Sequence, residues 1–152
     1  MDTLLRQSGD KTDASPVSQQ AESVKPLILV AEDHEDTRFM LMYLLEARGY
    51  RVTVAEDGER AVSAAEQEHP DLILMDANLP RLDGLAAAGR IRRLDALARV
   101  PIVFLSGHAE ASFRAMALET GGDDYLVKPF ELSDLDSVLE RHLGKSGAAE
   151  TK

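Results

Sequence analysis

Five short apolar runs punctuate the middle of the chain: LILVA (27–31), RVTVA (51–55), DLILMD (71–76), VPIVFLS (100–106) and DYLVK (124–128). Each is rich in Val, Ile or Leu and too short for a buried helix, so the pattern predicts five strands covered on both faces. The segments between and after them carry helical character. DTRFMLMYLLEARG (36–49) has a wide apolar stripe and a stop at Gly49, with Asp36 expected as its N-cap. GERAVSAAEQEH (58–69) is rich in alanine and ends before Pro70. GLAAAGRIRRLDAL (84–97) and AEASFRAMALETGG (109–122) follow the third and fourth runs. ELSDLDSVLERHLG (131–144) sets Leu132, Leu135, Val138 and Leu139 along one side and stops at Gly144.

Strands alternating with helices of about 10–15 residues imply right-handed crossovers and a parallel sheet. Five such units predict an α/β fold with an open, doubly wound sheet, and they are too few for an eight-fold barrel. Outside this region the pattern fades. Residues 1–25 are polar and read as a flexible arm, 26–144 as one domain, and 145–152 as a disordered tail.

Composition narrows the picture further. The 152 residues, 44% of them apolar, suit one self-sufficient core. The absence of cysteine excludes disulfides and thiolate metal sites and fits a cytoplasmic setting. No apolar run approaches the roughly 20 residues that span a bilayer, and the N-terminus has no signal-peptide pattern, so no membrane role is expected. The net charge of −10 argues against nucleic acid as a partner.

In doubly wound sheets, ligands bind beyond the carboxyl ends of the strands. The first run delivers Glu32 and Asp33 there, the third Asp76, the fourth Ser106 and the fifth Lys128 followed by Pro129. If the strand order is 2-1-3-4-5, the first and third strands are neighbours and their three acids converge. Such a cluster repels itself unless a cation intervenes, and all-oxygen ligation suits Mg2+. A metal, an ammonium and a hydroxyl around one carboxylate make a site for a phosphoryl group, with Asp76 placed as the nucleophile. His34, His69 and His142 read as surface residues without metal-site spacing.

The stretches LILVAEDHED, DLILMDANLPRLDG, VPIVFLSGHA and GGDDYLVKPF, in this order and each at a strand end, resemble the receiver domain of two-component response regulators, the CheY-like type. The resemblance covers residues 26 to about 143. It implies the five-stranded order 2-1-3-4-5, Asp76 as the phosphoacceptor, and Asp33, Asp76, Glu32 (through water) and the backbone carbonyl of Asn78 around Mg2+. It implies Lys128 as the phosphoryl contact before a cis Pro129, Ser106 as the switch hydroxyl and Tyr125 as the switch aromatic. Gly107 departs from the alanine that many members carry. Asn78 and His108 stand where they would influence the lifetime of the phosphoryl group.

The function expected from this resemblance is a stand-alone switch rather than an enzyme. A histidine kinase or phosphotransfer protein supplies the phosphoryl group, and a downstream protein target reads it. The alternatives are a receiver-fold interaction module that works without phosphorylation and a small phosphatase with an aspartate nucleophile. The phosphatase would want a second Asp where Asn78 stands, and a flavodoxin-type binder would want a loop rich in Ser, Thr and Gly where this chain has EDHEDT.

Overall fold

The structure, a computed structural model, describes residues 25–144. The expected arm therefore falls outside the described residues except for Lys25, and the expected tail does so entirely. Strands and helices alternate throughout: β1 Leu27–Ala31, α1 Glu35–Ala47, β2 Arg51–Ala55, α2 Gly58–Glu68, β3 Leu72–Asp76, α3 Gly84–Arg92, β4 Ile102–Ser106, α4 Ala111–Glu119, β5 Asp124–Val127 and α5 Leu132–Leu143. All strand pairs are parallel, in the order β2-β1-β3-β4-β5. The expected doubly wound topology is what the chain adopts.

Two-residue periodicity divides the strands between two cores. Leu29, Ala31, Ile73, Met75, Ile102 and Phe104 face one side, where Ala61, Ala65, Ala88, Ile91 and Ala117 of α2, α3 and α4 cover them. Ile28, Val30, Leu72, Leu74, Val103 and Leu105 face the other, under Leu41 and Leu45 of α1 and Leu135, Val138 and Leu139 of α5. Every residue of β1, β3 and β4 is buried. Truncating one of these leucines to alanine costs about 2–5 kcal/mol, because the cavity adds to the lost transfer energy.

Four expectations need correction. RVTVA is not covered on both faces: β2 is an edge strand in which Arg51 and Val54 are exposed and only Ala55 is buried. A single neighbour puts it at the margin, where the helices give less cover. The helix expected over 84–97 stops at Arg92, and a 3-10 turn, Asp95–Leu97, follows. There the Arg92 guanidinium donates to the carbonyls of Leu97, Val100 and Gly121, which curls the chain back toward β4. Helix α4 is shorter than the expected 109–122, since Gly121 turns away at φ +131°. Asp36 does not cap α1. It lies in the first turn, after an N-cap position held by His34 without a side-chain bond, and there its charge complements the helix dipole.

Candidate functional site

Register brings the chemistry to one rim. Ala31 pairs with Met75, Asp76 with Leu105 and Ser106 with Val127, so the next residues along, Glu32, Ala77 and Lys128, emerge at similar height. Ladder-like bonds continue past the strand ends. Glu32 N–H donates to Ala55 O at 3.0 Å, Ala77 N–H to Leu105 O at 2.9 Å and Lys128 N–H to Ser106 O at 2.7 Å. These bonds give the functional backbone the rigidity of the sheet.

Close backbone packing fixes the wall that carries Asp76. A Cβ on Gly84 would stand 2.0 Å from the carbonyl oxygen of Asp76, and one on Gly58 would stand 1.6 Å from that of Leu82. Only glycine allows the β3–α3 loop to fold this tightly against β3 and the start of α2. Across the rim Gly107 has open space around its missing Cβ, so the departure from alanine there is sterically free.

Asp76 and Glu32 are buried, at 4% and 0% exposure, whereas Asp33 faces solvent. Lys128 Nζ bridges the two buried acids, 2.8 Å from Asp76 Oδ2 and 3.0 Å from Glu32 Oε1. Asp76 Oδ1 accepts the Asn78 N–H at 2.8 Å. Burial pushes the Asp76 carboxyl above its ordinary range, and the nearby Glu32 charge adds to this, against the opposing hydrogen bonds from Lys128 and Asn78. For Lys128, burial disfavours the ammonium, but bonds to Asp76 and Glu32 outweigh it and hold the group charged. The resulting site is acidic, with the Lys128 ammonium fixed between two of its carboxylates.

Ser106 is buried, and its Oγ accepts the His108 N–H at 3.0 Å. Tyr125 is also buried, and its hydroxyl donates to the His108 carbonyl at 2.7 Å. Its ring meets Phe113 edge-on at 6.4 Å and lies under the Arg114 guanidinium. Both residues are thus tied to the same loop residue between β4 and α4. The Lys128–Pro129 bond is cis, as the resemblance implies.

Two contributors were not foreseen. His34, read as an ordinary surface residue, turns its Nδ1 back to 3.1 Å from Glu32 Oε2, and its N–H donates to the same oxygen. Arg38, in the first turns of α1, is buried and donates to the carbonyls of Glu32 and Asp33. A histidine next to an acid pair was the visible signal for the first; an arginine inside an apolar stripe was the signal for the second. His34 is nonetheless exposed, whereas His142 departs from the surface reading: it is half-buried, and Asp124 of β5 binds it at 2.9 Å and pairs with Arg141.

The donor set fits a hard divalent cation. One ligand atom each from Glu32, Asp33, His34 and Asp76 lies within 4.8 Å of all the others, which is within the span of one shared ion after small side-chain shifts. Oxygen donors predominate, and a fully buried carboxylate such as Glu32 calls for compensating positive charge.

Known proteins resemble this chain in sequence and fold. The family model described as response regulator receiver domain matches residues 28–140. The alkaline phosphatase synthesis transcriptional regulatory protein PhoP of Bacillus subtilis is 38% identical over 122 residues, covering 80% of this chain and 50% of that protein. The chain spans about half the length of most of the curated relatives it matches. Among solved structures, the receiver domain of sensor histidine kinase PA1611 from Pseudomonas aeruginosa, with magnesium coordinated in its active-site cleft, is 40% identical with a TM-score of 0.74, covering 80% of this chain and 99% of that one. The chemotaxis protein CheY4 of Vibrio cholerae is 27% identical with a TM-score of 0.75, covering 78% and 99%. No helix among the described residues is long and apolar enough to cross a membrane.

Proposed function

The chain belongs to the response regulator receiver domain family, and on that footing we propose that Asp76 accepts a phosphoryl group from the phosphohistidine of a histidine kinase or phosphotransfer protein. An Asp76 carboxylate oxygen attacks phosphorus in line, the N–P bond of the donor breaks, and the imidazole leaves with that electron pair. Asp33, Asp76 and Glu32, with the Asn78 carbonyl as a further oxygen, would hold Mg2+, whose charge offsets that of the phosphoryl oxygens when bound. Lys128 is already within reach of Asp76 and would exchange part of its contact with the carboxylates for the phosphoryl group.

The added charge, close to −2, supplies what a switch needs. Ser106 offers a hydroxyl from β4, and because its Oγ accepts the His108 amide, a shift of that hydroxyl toward the phosphoryl group would pull on the loop. Because Tyr125 is bonded to the same loop residue, the change would pass to α4, β5 and α5. A few kcal/mol of differential stabilisation is enough to shift two pre-existing states. Receiver domains are phosphoacceptor switches rather than turnover enzymes, and output is proposed to run through protein contact on this surface.

By their names the matched proteins feed different outputs, among them transcription, sensor kinases and chemotaxis. Because those outputs differ, what we propose is confined to phosphoryl acceptance at Asp76 and does not extend to a stand-alone architecture.

The observation that carries this reading is the Lys128 ammonium 2.8 Å from a buried Asp76 beside two further acids. Incubation with acetyl phosphate and Mg2+ is expected to add one phosphoryl mass to the intact protein, and Asp76→Asn to abolish it. Labelling that survives in Asp76→Asn would place the acceptor elsewhere.

A further inference from the structure

Mg2+ is a hard ion that prefers oxygen ligands and keeps several of its waters. The rim of this sheet offers something more. His34 follows the acid pair directly, and its Nδ1 lies 3.1 Å from Glu32 Oε2 and 3.5 Å from Asp33 Oδ1. Lys128 holds the other Glu32 oxygen, Oε1, so the imidazole and the ammonium approach that carboxylate at different atoms. The His34 side chain is 74% exposed, and reorienting it disturbs no core packing.

An ion with donors at about 2.1 Å sets opposite donors about 4.2 Å apart. The four ligand atoms of Glu32, Asp33, His34 and Asp76 lie within 4.8 Å of one another, so no pair exceeds the span across such an ion by more than about 0.6 Å. We propose that His34 supplies a nitrogen ligand to this metal position, so that the site binds divalent transition ions such as Mn2+, Co2+, Ni2+ and Zn2+ in preference to Mg2+. An imidazole adds little affinity for magnesium and progressively more along the first-row series. The choice of ion becomes a property of the β1–α1 loop, distinct from the phosphoacceptor itself. The inference rests on the reading that Glu32, Asp33 and Asp76 hold a divalent cation.

The test is calorimetric titration of the full chain with MgCl2 and CoCl2, in a buffer that does not bind metals, for the unmodified protein, His34→Ala and Asp33→Ala. The unmodified protein is expected to bind Co2+ more than about tenfold tighter than Mg2+, and His34→Ala to lose about tenfold or more for Co2+ but less than about threefold for Mg2+. Electron spin echo modulation of the Mn2+-loaded protein is expected to show nitrogen coupling that disappears in His34→Ala. Unchanged Co2+ affinity in His34→Ala, an equal loss for both ions, or no nitrogen coupling would each overturn the proposal. If Asp33→Ala weakens both titrations while His34→Ala changes neither, only the histidine ligand fails. If Asp33→Ala changes neither, the underlying cation site fails with it.

Discussion

Lys128 and Asp76 stand 52 positions apart in the chain and meet at 2.8 Å, Nζ to Oδ2, on the rim of the sheet. The same ammonium reaches Glu32, so one cation serves two buried carboxylates. Most of the site's behaviour follows from that imbalance.

Removing the cation leaves the two acids facing each other. Lys128→Ala is expected to lose about 1–3 kcal/mol of stability in the absence of divalent ions and to recover much of it at saturating Mg2+. Melting curves with and without the ion check this, and an equal loss in both would assign the effect to lost packing. Mg2+ affinity should hold or rise, while the amide spectrum with beryllofluoride should lose its activated-state changes.

Asp33 is the exposed acid of the cluster and contributes little to the packed core. Asp33→Ala is expected to weaken Mg2+ binding by more than about tenfold with little change in melting temperature. An unaltered titration would remove Asp33 from the metal shell.

Gly84 abuts the main chain of Asp76. Gly84→Ala pushes its methyl into a carbonyl oxygen 2.0 Å away, and the backbone must move to accept it. A loss of about 1–3 kcal/mol or more is expected in urea unfolding, along with slower labelling by acetyl phosphate. Gly107→Ala serves as the control and should stay within about 0.5 kcal/mol of the unmodified protein.

Asp124 gives a pH dependence away from the metal position. Burial alone would raise its carboxyl, but bonds from His142, the Tyr125 amide and Arg141 together hold it below the ordinary range. A depressed carboxyl contributes its full stability above the ordinary value of about 3.9 and loses it as pH falls through the lower folded value. The stability advantage over Asp124→Asn is therefore expected to shrink below about pH 4, as followed by denaturant titrations at stepped pH. An advantage that persists unchanged at pH 2 would contradict the assignment.

The fold was legible because each polar residue of interest ends an apolar run, and position along a strand translates directly into position on the rim. Glu32, Asp33, Asp76, Ser106 and Lys128 could be placed from that logic, and the structure brings the acids and the lysine together. Burial of RVTVA was misjudged because valine content reports β preference, whereas cover depends on a strand's rank in the sheet. The break after Arg92 depends on carbonyls of Leu97, Val100 and Gly121 that converge only after folding. Arg38 and His34 were missed for a related reason: whether a side chain at a helix start is buried, as Arg38 is, or stays exposed and bends back to a neighbouring acid, as His34 does, is decided by the loop it meets.

The glycine contacts have a mechanical corollary. On one side of the cleft main chain presses on main chain, at Gly84 and Gly58, and leaves no slack. On the other, a Cβ on Gly107 would meet open space, and His108, Ala109 and Glu110 are open to solvent. One wall of the cleft is thus held by main-chain packing, and the room to accommodate a group beside the aspartate lies along the solvent-open wall.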